Sequence, residues 1–293
     1  MIKKTVLALG YFDAIHKGHQ YLLEKAKEIA IASNCELLVG TFDDSLYQKL
    51  GRGDNKGIFL LQERKQILQK FGCENVQVFE TTKEFLSISE EEFVEYLCKF
   101  NPYCVVVGND YRFGKNATGN ANSLQILLKK RDIKTKIIDL LFIENEKVST
   151  THIRNLLANG EIKTVNNLLG FDYFIIGKVV TNRKVGREIG FPTANINIPS
   201  NKFMPKFGVY SSIIEVDGIK YRGITNIGTH PTFNDENSNI ESFILDFDKK
   251  IYNKEIIIFL QNYIRGIFKF SSSKQLSKQI NKDIEQVKKE IIL

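Results

Sequence analysis

The 293-residue chain reads as an α/β domain with a parallel sheet, residues 1–166, followed by an all-β barrel domain with a terminal helix, residues 167–293. Three observations predict this. The length exceeds what one hydrophobic core usually organises. Through the first half, short apolar β-branched runs alternate with amphipathic helical patterns. After Leu169-Gly170 the alternation stops, and closely spaced strand-like runs with Gly and Asn turns replace it.

In the first half the strand candidates are Thr5 to Leu9, Glu36 to Thr41, Val76 to Phe79, Cys104 to Val107 and Thr135 to Asp139. Helical patterns lie between them, near Gly18 to Ala32, Gln62 to Phe71, Ser89 to Phe100 and Ala121 to Arg131. Such a chain forms a parallel sheet covered on both faces, and ligands bind at the carboxyl ends of its strands. Three of those ends carry polar clusters, Tyr11-Phe12-Asp13, Phe42-Asp43-Asp44 and Asn109-Asp110, which are expected to converge on one crevice.

The stretch with the most chemistry is Gly10 to His19, Gly-Tyr-Phe-Asp-Ala-Ile-His-Lys-Gly-His, directly after the first strand. A helix beginning near Gly18 would project His16 and His19 from its first turn, where free N–H groups and the dipole favour an anion. Gly18 would let a phosphate approach the backbone. Three other readings compete. The spacing also suits metal ligands, but zinc needs a third protein ligand, and His152 and His230 are far away in sequence. Two incidental histidines at a surface helix start are the bland alternative. The HxGH tetrapeptide also marks class I aminoacyl-tRNA synthetases, whose second signature Lys269 to Lys274 only loosely imitates.

The run Gly108 to Lys115 imitates a phosphate-binding Walker loop but is one residue too long, and Asn116 replaces the magnesium-binding hydroxyl. It is read instead as a loop presenting Asn109, Asp110 and Arg112 to a ligand, with a plain surface loop as the alternative. Next, Ser149, Thr150 and Thr151 precede a helical pattern and Arg154 follows one turn later. One hydroxyl is explained as an N-cap; together with the guanidinium they make a second phosphate cradle.

Strand-like runs in the second half are Tyr173 to Val180, Gly208 to Val216, Lys220 to Ile227, Ile240 to Phe247 and Glu255 to Leu260, and Asp217-Gly218 is a hairpin turn signal. The stretch Gly177 to Asn195 brings Gly177, Lys178, Gly186, Arg187 and Gly190 into a basic glycine-rich flap and runs into Pro192-Thr193-Ala194-Asn195, read as a turn. Thr193 and Asn195 offer oxygens to a magnesium ion, and a basic surface hairpin is the alternative. The terminal helix, Ser271 to Ile291, stripes Leu276, Ile280, Ile284, Val287 and Ile291 on one face, which reads as packing.

Composition narrows the class. Net charge of +7 suits polyanionic partners, but the lysines are scattered, which favours small phosphorylated ligands over nucleic acid. Cys35, Cys73, Cys98 and Cys104 form no CxxC pair, as expected of free thiols in a reducing cytoplasm. The apolar N-terminal run is too short for a signal peptide, and no stretch has the length of a membrane span. Self-association into a homo-oligomer is compatible with the sequence.

The HxGH stretch and the Ser149 to Arg154 segment resemble the nucleotidyltransferase superfamily, whose catalytic domain is Rossmann-like. The run through Phe191-Pro-Thr-Ala-Asn195, with Asn226 to Phe233 and Glu241 to Phe247, resembles riboflavin kinase. The whole chain therefore resembles the bacterial bifunctional riboflavin kinase/FMN adenylyltransferases, also called FAD synthetases. The resemblance implies two successive uses of Mg2+ and ATP, with riboflavin phosphorylated to FMN by the barrel and FMN adenylylated to FAD by the first domain. It assigns catalysis to Glu241, His16 and His19. It gives the adenylyltransferase ATP site Gly10, Phe12, Asp13, Gly18, Ser149, Thr150, Thr151 and Arg154, and its flavin site Asn109, Asp110 and Arg112. In the kinase it gives ATP Gly177, Lys178, Gly186, Arg187, Gly190, Thr193 and Asn195, magnesium Thr193 and Asn195, and the flavin Arg265. Glu241 would be the base that deprotonates the ribityl hydroxyl. A strand period of two also puts it on one face with Phe243, Leu245 and Phe247, a costly place for an idle carboxylate. Ala14, Leu46, His152 and Gly266 depart from the family's usual pattern, and His152 leaves Arg154 as the segment's one guanidinium. Another acceptor for the first domain, or a non-enzymatic flavin or RNA binder of the same fold, are the competing functions.

Overall fold

The computed structural model describes residues 3–51, 55–139, 141–143, 146–181, 190–229 and 238–292. Its contacts divide the chain into two units, Met1–Thr150 and Thr151–Leu293.

The first unit runs β1 (Thr5–Leu9), α1 (Lys17–Ala32), β2 (Glu36–Phe42), α2 (Leu46–Leu50), α3 (Leu61–Lys70), β3 (Val76–Phe79), α4 (Lys83–Ser87), α5 (Glu90–Cys98) and β4 (Pro102–Gly108). There follow a small hairpin, β5 (Arg112–Phe113) and β6 (Gly119–Asn120), then α6 (Ala121–Lys129), β7 (Lys134–Ile138) and a second hairpin, β8 (Phe142–Ile143) and β9 (Glu146–Lys147). The five main strands are parallel in the order β3-β2-β1-β4-β7. Val6 to Leu9 and Val105 to Val107 are buried throughout rather than alternately, because helices cover both faces. The order reverses between β1 and β4, and sheets of this kind bind ligands beyond the carboxyl ends at such a reversal, here flanked by the end of β2. The three polar clusters expected to converge sit on these neighbouring ends.

The second unit takes in α7 (Thr150–Asn159), whose first residue lies at the division, and α8 (Ile162–Leu169). Then come β10 (Phe174–Val180), β11 (Thr193–Asn197), β12 (Gly208–Val216), β13 (Ile219–Thr229), β14 (Ser238–Ile244), β15 (Glu255–Arg265) and α9 (Ser273–Glu290). The strands close into a barrel, β10-β11-β14-β13-β12-β15. Asp217 and Gly218 both take positive φ, 52° and 79°, which matches a tight hairpin between β12 and β13 to the strand twist.

Three expectations change. Thr193 to Asn195 is barrel strand β11, not a turn; Asn has low strand propensity, but pairing with β10 and β14 on either side overrides it. The run expected to reach Phe247 stops at Ile244, with Asp246 turning the chain at φ 55°. The stripe of α9 is not all packing: Val287 and Ile291 enter a core with Val209, Ile224 and Leu245, whereas Leu276 and Ile280 line a cavity.

Candidate active sites in the two units

At the end of β1 the chain makes a strained turn. Phe12 and Ile15 adopt φ of 55° and 46°, rare for an aromatic and a β-branched residue. Phe12 folds its ring back over Gly10, where a Cβ would lie 2.8 Å from it, so Gly10 makes room for an aromatic ring. His16 then caps α1, its Nδ1 accepting the His19 N–H at 3.2 Å. The two imidazoles stack at 3.8 Å between centroids and 11° between planes, with Phe12 edge-on to His19 at 5.3 Å. Gly18 serves this stack as well, because a Cβ there would meet His16 Nδ1 at 3.1 Å.

Burial pushes His16 down to about 4, a lowering that Asp110 opposes and Lys147 reinforces. Burial and the neighbouring His16 hold His19 well below the ordinary imidazole range. Both rings are therefore neutral at pH 7. His19 Nδ1 is buried without a hydrogen-bond partner, an acceptor or donor in waiting.

Asp13 is buried, and its Oδ1 accepts from the Ile58 and Phe59 N–H groups at 2.7 and 3.4 Å. It thereby ties the turn to the loop before α3. Asp43 is likewise spent on structure. Burial raises its pKa, but hydrogen bonds from Ser45 and Thr81 outweigh that and lower it. After β4, Asn109, Asp110 and Arg112 are exposed, and Asp110 pairs with Lys147 of β9 at 3.6 Å. Ser149 and Thr150 are half-buried and Thr151 is exposed; Arg154 packs its guanidinium 4.9 Å over the Phe203 ring.

Sequence reasoning missed Arg64. Its side chain, fully buried on α3, donates from Nη1 to the Tyr11 carbonyl and Thr41 Oγ1, and from Nη2 to the Phe42 carbonyl and Asp44, all at 2.9–3.0 Å. It also lies 4.6 Å over the Tyr11 ring. One guanidinium thus clamps the ends of β1 and β2. An arginine among the polar residues of a short amphipathic helix carries no mark of this.

In the barrel, the register aligns Glu241 of β14 with Asn195 of β11 on one side and Asn226 of β13 on the other. Asn239 Nδ2 donates to Glu241 Oε1 at 2.8 Å. Asn195 Nδ2 lies 3.4 Å from Thr193 Oγ1, so the expected oxygen donors are adjacent. Glu241, Thr193 and Asn226 line a cavity of about 320 Å³ whose other walls include Phe191, Phe243, Phe268 and Phe270. Phe191 meets Phe243 edge-on at 5.4 Å. An apolar, aromatic pocket with a few polar groups suits a planar heterocycle carrying a polar tail. Arg265 and Asp283 also border it. Gly177 is buried where a Cβ would lie 3.0 Å from Ile196, so it permits close approach of β10 and β11, and Gly190 turns the chain at φ 87°. Lys178 is exposed on β10. Gly186 and Arg187 lie outside the described residues. Among the described residues, no group of three or more His, Cys, Asp or Glu side chains could hold a metal ion.

Family models match both units: FAD synthetase over residues 1–152 and riboflavin kinase over residues 169–291. The bifunctional riboflavin kinase/FMN adenylyltransferase of Bacillus subtilis is 35% identical over 97% of this chain and 91% of its own length. The Listeria monocytogenes protein of the same name is 35% identical over 95% of this chain and 90% of its own. A crystal structure from Streptococcus pneumoniae, described as a macrolide-efflux protein, is 31% identical and superposes with a TM-score of 0.89 over 98% of this chain and 95% of that one. No helix among the described residues is long and apolar enough to cross a membrane.

Proposed function

Because the chain belongs to the bifunctional riboflavin kinase/FMN adenylyltransferase family, whose two activities it carries, we propose how its residues divide the work. The second unit phosphorylates riboflavin to FMN, and the first adenylylates FMN to FAD. The observation that carries the kinase assignment is the alignment of Asn195, Glu241 and Asn226 across three strands, with Glu241, Asn226 and Thr193 at the polar part of an aromatic cavity.

In the kinase, the isoalloxazine ring occupies the aromatic part of the cavity and the ribityl chain reaches towards Glu241. Glu241, oriented by Asn239, accepts the proton of the terminal hydroxyl as that oxygen bonds to the γ-phosphorus and ADP departs. Thr193 and Asn195 supply neutral hard oxygens, which fit Mg2+ sharing its shell with water and ATP phosphates. Bound there, the ion supplies charge neutralisation at the phosphates. Gly177, Lys178 and Gly190, with Gly186 and Arg187, bind ATP, and Arg265 addresses the flavin.

In the adenylyltransferase, transfer demands positioning and charge stabilisation more than a covalent nucleophile. A phosphate oxygen of FMN attacks the α-phosphorus, and pyrophosphate leaves. His16 and His19 meet the triphosphate at the N-terminus of α1, the buried His19 Nδ1 gaining a partner in the process. Gly10, Phe12, Asp13 and Gly18 shape that turn, Ser149, Thr150, Thr151 and Arg154 take the remaining phosphates, and Asn109, Asp110 and Arg112 face FMN. The setting is the cytoplasm, with ATP and Mg2+ as co-substrate.

The direct test is to incubate the purified chain with riboflavin, Mg2+ and ATP and separate the products. FMN and FAD both appear on this reading. FMN alone would remove the adenylyl assignment, and neither product would remove both.

A further inference from the structure

The helix α9 carries a charge on its apolar face. Asp283 stands among Leu276, Ile280 and Val287 at helical spacing and is only 2% exposed. Its carboxylate receives the Arg265 guanidinium side-on, with Nε at 3.2 and 3.1 Å from the two oxygens and Nη2 at 2.8 Å from Oδ2. Gln279 Nε2 donates to Oδ1 at 2.8 Å, and Arg265 Nη1 donates to the Gly266 carbonyl at 3.1 Å. Phe268 and Phe270 flank the guanidinium, their centroids 5.9 and 5.8 Å from Cζ. A guanidinium has five N–H donors, and these bonds use one on each nitrogen. One N–H on each terminal nitrogen is left over, at the wall of the cavity that also holds Glu241.

We propose that Asp283 is a positioning residue of the kinase site. Acting through Arg265, it fixes the two remaining donors for the carbonyl oxygens of a planar, uncharged heterocycle and so sets the affinity for the riboflavin ring. This rests on the kinase assignment above. An unpaired arginine would wander among rotamers and bring a net charge to an apolar wall, whereas the fork-to-carboxylate pair is planar, fixed and neutral overall. Leu276 and Ile280, on the same helix face, wall the same cavity, so α9 is part of the binding site as well as a cover for the core.

The alternative is a staple that merely pins α9 to β15. Steady-state FMN formation, riboflavin fluorescence quenching and thermal midpoints of the full chain separate the two for D283N, D283E and R265K. Positioning predicts that D283N and R265K raise the riboflavin Kd and KM about tenfold while kcat changes less than about threefold, and that D283E recovers part of the affinity. Wild-type riboflavin affinity in folded D283N overturns the proposal. So does a loss of affinity and kcat in step with the thermal midpoint in both Asp283 variants. If the unaltered chain neither binds riboflavin nor forms FMN, the kinase assignment fails instead.

Discussion

Acid should destabilise the first unit through His16, and the size of the effect follows from the burial of the ring. An unfolded histidine titrates at 6.5, whereas His16 in the folded chain titrates at about 4. The folded state thus resists a proton that the unfolded state accepts, so this stability is fully present above 6.5 and is lost as pH falls towards 4. At pH 5 the loss from this one group is about 2 kcal/mol, enough to lower the melting midpoint by about 4–8 °C for a unit of this size. His19 shifts in the same direction and adds to the slope. His16→Asn isolates the effect, since asparagine is a good N-cap and can accept the His19 N–H while removing the titrating ring. Calorimetry of both proteins between pH 7 and pH 4.5, following the transition of the first unit, should show a shallower acid limb for the variant. NMR titration of the imidazoles gives the same information directly, and saturating Mg2+ and ATP should move His16 upward as phosphate gathers around it. A His16 midpoint near 6.5 in the ligand-free chain, or equal acid limbs for the two proteins, would refute the reasoning.

Other perturbations separate the two activities. Glu241→Gln should lower FMN formation by at least about a hundredfold and leave FMN-to-FAD conversion intact, and His19→Ala should do the reverse; product separation by chromatography reads both. Gly18→Ala gains up to about 1 kcal/mol of helix propensity but drives a methyl against the His16 ring, so the melting midpoint should hold while FAD synthesis falls. Arg64→Met removes a buried cation from Asp44, Thr41 and two carbonyls, and urea unfolding should show a loss of about 3 kcal/mol for the first unit.

The alternation of apolar runs and amphipathic helices was enough to read the parallel sheet, because buried β-branched strands and covering helices have distinct periods. The barrel was legible from its turns, Asp217-Gly218 above all. Strand β11 was not. Pro192 just before it and Asn195 within it are turn residues, and the two neighbouring strands hold the run extended. The small hairpins β5-β6 and β8-β9 escaped because each strand is two residues long, too short for a period to show. Among the proposed site residues, His16, His19 and Glu241 announce themselves by motif. Arg64 does not, since it is one charged residue on a helix rich in them and burial alone distinguishes it; Asp283 shows in sequence only as a charge at helical spacing within the apolar stripe of α9. Gly18 reads from sequence as an opening for phosphate, whereas local sterics shows it making room for His16, as Gly10 does for Phe12.

That last difference bears on how the first site is held. Positive φ at Phe12 and Ile15 costs about 1–3 kcal/mol each, so the turn from Gly10 to His19 would relax if left to itself. It is fastened at nearly every step. The Gly10 N–H donates to the Gly40 carbonyl at 3.1 Å, the Tyr11 carbonyl accepts from both Thr41 Oγ1 and Arg64 at 2.9 Å, and Asp13 grips the Ile58 N–H. Gln20 reaches back from α1 to the Ile15 carbonyl at 2.7 Å. The anchors come from β2, α3, the loop before α3 and α1 itself, so no single relaxation releases the strain. The strain in turn sets the direction in which the chain enters α1, and with it the stack of His16 on His19. Because neither imidazole is charged at pH 7, their use to an incoming triphosphate lies in being fixed beforehand with hydrogen-bonding nitrogens unspent, at a helix end whose dipole already favours the anion.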